Sequence, residues 1–259
     1  MISFFEFLLI LSYSNAKHLR IVGGKDADRG VYEVVVRLEL KKERPQIFRH
    51  FCSGTAVSPT WVVTAAHCIG ALEKKTGNKV KGVIRYGSAL GNPWDGSSHS
   101  DILDHVKHPS YHRDGSNDIG LVKTTTINLT HFAKICAVDY KALIGLKVVA
   151  AGYGWTEPEK MSDTLSLNKS LQLLDVVIKK CPTRRTTNEP YVMCISTRCN
   201  DKGLLGPGDS GGPVMHFSGV IAIHSKGFLR ATTKYINKPF AGIVVPLSPY
   251  HSWIHGVVN

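Results

Sequence analysis

In the segment Gly208-Asp209-Ser210-Gly211-Gly212-Pro213 a serine is flanked by glycine two residues away on either side. Glycine at both places lets backbone approach a substrate carbonyl closely and leaves N–H groups to stabilise an oxyanion. A serine hydroxyl is a weak nucleophile at neutral pH. It needs a base such as imidazole, and the imidazole needs a buried carboxylate to hold its tautomer and its charge. Both stand upstream: His67 within Thr64-Ala65-Ala66-His67-Cys68, and Asp118 within Asn117-Asp118-Ile119-Gly120-Leu121. Taken singly, a His beside a Cys reads as structural, an Asp before an apolar run as a cap, and a glycine-rich segment as a plain turn. The Gly-x-Ser-x-Gly pattern also matches the elbow of α/β-hydrolases, in which an acid and then a histidine follow the serine. From residue 211 to 259 there is no Asp or Glu, which excludes that elbow and leaves the order His, Asp, Ser.

The elements that must position these groups are short. Apolar β-branched runs recur at Val34 to Val36 with Leu38, Trp61 to Val63, Val148 to Ala150, Val176 to Ile178, Val220 to Ile223 and Ile243 to Val245. Separated by Gly, Pro, Asn and Ser clusters, they form a strand pattern, and the expected class is all-β. Only Ser248-Pro249-Tyr250-His251-Ser252-Trp253-Ile254 reads as a turn entering a short helix, with Pro at its first position. The chain of 259 residues is 43% hydrophobic and 20% charged, enough for a full-sized core and a poor fit to disorder, collagen or a coiled coil. Near the N-terminus, an apolar run from Phe4 to Leu11 followed by Ser14 and Ala16 reads as a signal peptide over residues 1–16. Secretion places the cysteines where disulfides persist and makes Asn128 and Asn168, each in an Asn-x-Ser/Thr triplet, glycan acceptors. No other stretch reaches the ~18 apolar residues of a membrane span.

Over Ile21 to Asn259 the sequence resembles the chymotrypsin/trypsin-like serine protease family. Its blocks stand in family order: Ile21-Val22-Gly23-Gly24, His67 in its setting, Asp118, Gly152-Tyr153-Gly154, Gly208 to Pro213, and Trp253-Ile254. The resemblance implies one protease domain over residues 21–259, built as two six-stranded antiparallel barrels with a boundary near 135–147 and the site between them. It implies a secreted endopeptidase that works through an acyl-enzyme, with His67 as general base and acid, Asp118 as its orienter and Ser210 as nucleophile. The N–H groups of Gly208 and Ser210 would form the oxyanion hole. It also implies a zymogen, in which residues 17–20 are a propeptide cut after Arg20 and the new amino group of Ile21 pairs with Asp209. A buried carboxylate left unpaired is costly, so cleavage and assembly of the oxyanion hole are coupled. The alternative is a catalytically silent homologue that keeps the fold as a binding module.

The resemblance pairs Cys52 with Cys68 and Cys181 with Cys194, and leaves Cys136 and Cys199 either paired or as free thiols. Two bridges common in the family are absent, with Val148, His216 and Gly206 at cysteine positions. No Cys falls in a C-x₂-C arrangement suited to zinc, and Asp95, Asp101 and Asp104 lack a calcium-loop spacing, so no metal or cofactor is expected. In the pocket for the residue before the scissile bond, the resemblance puts Leu204 at the floor, Gly227 and Gly242 on the walls and Ser225 beneath the triad. Lys226 stands where Trp is usual and His224 on a back wall where Val is usual. An apolar floor and an open entrance imply large apolar substrate residues, with acidic ones as runner-up through Lys226 and His224; no acid is present to bind Lys or Arg. The basic stretch Phe228 to Phe240 is longer than its family counterpart.

The net charge of +12 invites a nucleic-acid reading, but the excess is concentrated. Lys226, Arg230, Lys234 and Lys238 follow residue 210 with no acid to offset them, and Arg37, Lys41, Lys42, Arg44 and Arg49 outnumber Glu39 and Glu43. By resemblance both stretches edge a substrate cleft. The expected partners are therefore protein or peptide substrates, an activating protease that cuts after Arg20, protein inhibitors and anionic polysaccharide, rather than nucleic acid, with the chain a monomer.

Overall fold

The computed structural model describes residues 21, 24–28, 30–77, 79–87, 98–154, 170–182, 190–197, 203–227 and 240–259. The expected signal peptide and propeptide, together with Asp95, Asn168, Cys199, Arg230, Lys234 and Lys238, lie outside the described residues.

A two-residue strand, β1 (Lys25–Asp26), precedes the first barrel. Strands β2 (Val35–Lys42), β3 (Ile47–Ser58), β4 (Trp61–Thr64), β5 (Val80–Tyr86), β6 (Ser98–Lys107) and β7 (Gly120–Thr124) close in the order β2-β3-β4-β7-β6-β5. The second barrel comprises β8 (Lys147–Gly152), β9 (Gln172–Lys179), β10 (Met193–Thr197), β11 (Pro213–His216), β12 (Gly219–Gly227) and β13 (Gly242–Pro246). It runs β9-β10-β13-β12-β11-β8, a β8–β9 pairing closes the ring, and β1 adds to the outside of β9. All pairings within the barrels are antiparallel, and each apolar run named above lies in or enters a strand.

Each barrel has its own core. Val36, Leu38, Ile84 and Val122 fill the first, and Val148, Ile178, Met193, Ile195 and Val244 fill the second. A third cluster joins them: Trp61, Val63, Ile119 and Leu121 pack with Val220, Ile223 and Val245, and helix α2 (His251–Val258) adds Ile254. The site residues sit along this seam, so burial of apolar surface between the barrels also sets their relative positions.

The helical elements differ from expectation, and a 3₁₀ turn at Tyr140–Leu143 is one addition. Ser248–Tyr250 forms a separate 3₁₀ turn before α2, and the Ser248 hydroxyl accepts the Tyr140 amide at 3.2 Å rather than capping the helix. A second helix, α1 (Ala66–Lys75), begins directly after β4. Its signal was present as Cys68, Ile69 and Leu72, which share one buried face at helical spacing, with Lys74 and Lys75 at the C-terminal end where cations oppose the helix dipole. Among the described residues no helix is long and apolar enough to cross a membrane.

Candidate active site

The first barrel supplies His67 and Asp118. Helix α1 starts one residue before His67, so the imidazole projects from the first turn with its side chain 39% exposed. Asp118 lies just before β7 and is 1% exposed. Its Oδ1 accepts the His67 amide at 2.9 Å, and its Oδ2 accepts His67 Nδ1–H at 2.7 Å and the Ser225 hydroxyl at 2.6 Å. Three donors satisfy the buried carboxylate, and with Nδ1 holding the proton the Nε2 lone pair is left to act as base. Ser225 reaches Asp118 because β12 carries a register shift between His224 and Lys226 in its pairing with β13; a bulge of this kind re-aims one side chain. Asn117 holds a left-handed backbone (φ 51°), a conformation Asn tolerates. Its side chain is clamped between Tyr250 Oη–H at 2.8 Å and the Ser110 carbonyl at 2.9 Å, so the C-terminal turn helps to place Asp118.

The second barrel supplies the turn that carries Ser210. Gly206 N–H donates to Asp209 Oδ2 at 2.8 Å, Asp209 N–H to Gly206 O at 3.1 Å, Gly211 N–H to His224 O at 2.7 Å and Gly212 N–H to Asp209 O at 2.9 Å. Pro207 has no N–H, and the amides of Gly208 and Ser210 donate to no described residue. These are the two groups expected to form the oxyanion hole. The first barrel braces the turn from behind: Ser53 Oγ–H and His50 Nε2 both reach the Gly208 carbonyl, at 2.8 and 3.2 Å, and Ser53 N–H donates to Ser210 O at 2.8 Å. Left-handed φ values at Gly208 and Gly211, 95° and 80°, let the chain make this turn. No hydrogen bond joins Ser210 Oγ to the imidazole among the described residues, and such bonds commonly tighten only around substrate.

Asp209 is 1% exposed, and its Oδ1 accepts the Gly154 amide at 2.7 Å. This explains the Gly152-Tyr153-Gly154 block. A Cβ on Gly154 would lie 2.5 Å from Asp209 Oδ1, and one on Gly152 would lie 3.0 Å from its carboxyl carbon. Ile21 is fully buried in the second-barrel core beside Leu143 and Ala150.

His67, Asp118, Ser210, Ser225, Lys226 and Gly227 all line one cleft of ≈ 600 Å³ between the barrels. Lys226 Nζ donates to the Asp114 carbonyl at 3.1 Å on the cleft rim, where Lys75 and Arg113 also stand. Three expectations about the pocket change. Leu204 does not line the cleft, whereas Leu205 does. The wall glycines do not leave an entrance: a Cβ on Gly242 would lie 2.6 Å from Leu205 Cδ1, and one on Gly227 would lie 3.0 Å from the Leu205 carbonyl carbon. His224 lies outside the cleft, 1% exposed, with Nε2–H donated to the Ala151 carbonyl at 3.2 Å. Burial pushes its pKa down to about 4, so the ring is neutral and cannot serve as a cation for an acidic substrate.

Cys52–Cys68 and Cys181–Cys194 are disulfides, and Cys136 is a buried free thiol. The one grouping of metal-ligating side chains among the described residues is Cys52, His67 and Cys68, whose two thiols are spent on the disulfide. Arg37 is not part of a basic rim. It is 2% exposed, with Nε 2.9 Å from Glu39 Oε1, and Arg85 meets the other oxygen at 3.0 Å. Lys42, Arg44 and Arg49 are exposed, as are Lys79 and Lys81 at the same end of the barrel.

Comparison with known proteins agrees with this geometry. The sequence profile of the trypsin family matches residues 21–254. The chain is 27% identical to serine protease SSP1 of Scolopendra subspinipes, over 91% of this chain and 82% of that one. It is 29% identical to granzyme M of Rattus norvegicus, over 95% and 92%, and 29% identical to a trypsin of Phaedon cochleariae, over 92% and 88%. Two antiparallel barrels, a histidine and an aspartate from one, a glycine-flanked serine from the other and a profile match over nearly the whole chain place it in the trypsin family of serine proteases.

Proposed function

We propose that the chain is a secreted serine endopeptidase, made as a zymogen, that hydrolyses peptide bonds through His67, Asp118 and Ser210. The observation that carries this reading is the Asp118 carboxylate, buried and bonded to both the amide and Nδ1–H of His67. That arrangement fixes the imidazole through Nδ1 in a cleft that Ser210 also lines and leaves Nε2 to act as base. Ser210 Oγ attacks the substrate carbonyl carbon while His67 Nε2 takes its proton. The amides of Gly208 and Ser210 receive the negative oxygen, at a cost in rate of about 10²–10³ for each donor removed. His67 then protonates the leaving amine, and water attacks the acyl-enzyme by the same route in reverse. Secretion accords with the N-terminal apolar run and with two disulfides.

Activation follows from Ile21 and Asp209. Ile21 is buried in the second barrel one bond after Arg20, and Asp209 lies within the turn whose amides would hold the oxyanion. Cleavage after Arg20 frees an ammonium to pair with Asp209 and steady that turn. The exposed cations Lys42, Arg44, Arg49, Lys79 and Lys81, with Lys75 at the cleft, form a basic edge suited to anionic polysaccharide or acidic substrates. The test is digestion of an unfolded protein substrate before and after limited cleavage at Arg20–Ile21. Hydrolysis should appear only after cleavage and vanish in Ser210→Ala; a cleaved protein with no activity on any substrate would be a binding module instead.

A further inference from the structure

The expected pocket for the residue before the scissile bond is a slot between the segment preceding Ser210 and the wall carried by Gly227 and Gly242. A flat side chain in such a slot needs van der Waals contact on both faces, so its walls must stand about 7 Å apart. Here they meet. A Cβ on Gly227 would lie 3.0 Å from the Leu205 carbonyl carbon and 3.5 Å from Leu205 Cβ, and one on Gly242 would lie 2.6 and 3.1 Å from Leu205 Cδ1 and Cγ. Leu205 is 2% exposed, belongs to the second-barrel core with Ile195 and Val244, and is anchored by its amide to the Ala241 carbonyl at 3.1 Å. Both glycines are therefore required because Leu205 occupies the space between them, not because a substrate side chain does.

We propose that Leu205 closes the primary pocket and restricts cleavage to bonds that follow Gly, Ala or Ser. This rests on the protease reading above. A methyl or hydroxymethyl group needs no depth beyond the cleft surface to which Leu205, Gly206 and Ser225 contribute, whereas a branched, aromatic or charged side chain must displace a packed leucine. His224 is buried and neutral, Lys226 Nζ is directed to the Asp114 carbonyl at 3.1 Å, and no carboxylate follows Asp209, so no charge is set in the slot to repay that displacement.

The test uses the full chain activated at Arg20–Ile21 and a set of peptide amides differing only in the residue before the scissile bond: Gly, Ala, Ser, Val, Leu, Phe, Glu and Lys. The proposal expects kcat/KM for Ala or Ser to exceed that for Phe at least about a hundredfold. It also expects a peptidyl phosphonate bearing Ala, and not Phe, to capture Ser210. Leu205→Ala should raise the Phe-to-Ala ratio of kcat/KM at least about tenfold, with reaction of Ser210 toward a small organophosphate confirming that the variant is folded. Equal or better turnover of Phe, Leu, Glu or Lys by the unmodified protein would overturn the proposal and leave the protease reading standing. Failure of the activated protein to react even with the small organophosphate would overturn both.

Discussion

Replacing His224 by valine should remove an acid-sensitive component of stability that has no direct part in the chemistry. The ring is buried, donates Nε2–H to Ala151 O, and has no partner for Nδ1 among the described residues. Protonation would place a cation in the core with a second N–H and nowhere to direct it. Desolvation accordingly lowers its pKa from 6.5 to about 4, against the smaller opposing effect of the Ala151 bond. Between those two values the unfolded chain binds a proton at this position and the folded chain does not, so stability rises with pH across that window and falls as pH drops through it. At about 1.4 kcal/mol for each pKa unit, roughly 3 kcal/mol present at pH 7 is gone by pH 4, with no further loss below. The assay is urea unfolding of both proteins from pH 4 to 7.5. The other titrating groups, including His99 and His108, whose pKa values burial also lowers, are shared and cancel in the difference. Valine leaves a small cavity worth about 1–2 kcal/mol, but that offset does not vary with pH. The difference in stability should change by about 3 kcal/mol across the window and be flat above pH 7. A difference independent of pH would refute the buried, neutral histidine.

Three further outcomes follow from the site. Ser225→Ala removes one of three donors to the Asp118 carboxylate, a bond to a charged group worth about 2 kcal/mol; kcat should fall roughly thirtyfold with little change in KM, read from steady-state kinetics. Gly211→Ala places a Cβ 2.9 Å from Ala65 N in a residue at φ 80°; it should cost about 2 kcal/mol or more in unfolding free energy and suppress turnover on every substrate. Arg20→Gln should block activation by trypsin-like cleavage, so that N-terminal sequencing finds no chain starting at Ile21 and no hydrolysis appears.

That His67, Asp118 and Ser210 meet at one cleft is legible because each lies within a local block whose order along the chain is itself discriminating; no single block suffices. The barrels were legible because β-branched runs of three to five residues between turn residues have few other readings. Helix α1 is harder to read: Gly70 interrupts it, and its apolar positions Ile69 and Leu72 fall in a stretch too short for periodicity to stand out. Which leucine faces the cleft is not legible in the sequence, for a different reason. Leu204 and Leu205 are chemically identical, and which of the two faces the cleft depends on the turn into Ser210 and on the approach of β12 and β13, contacts between segments far apart in sequence. Arg37 likewise reads as surface charge in the sequence because its partners, Glu39 and Arg85, come together only through the pairing of β2 with β5.

Under the proposed function, Ser210 becomes a nucleophile once the chain is cut after Arg20. Mass spectrometry of the protein exposed to a small organophosphate, with and without that cleavage, tests it directly. A single phosphoryl adduct on the peptide containing Ser210, formed only after cleavage and absent in Ser210→Ala and His67→Ala, is the predicted result. A cleaved, folded protein that carries no adduct would contradict the account.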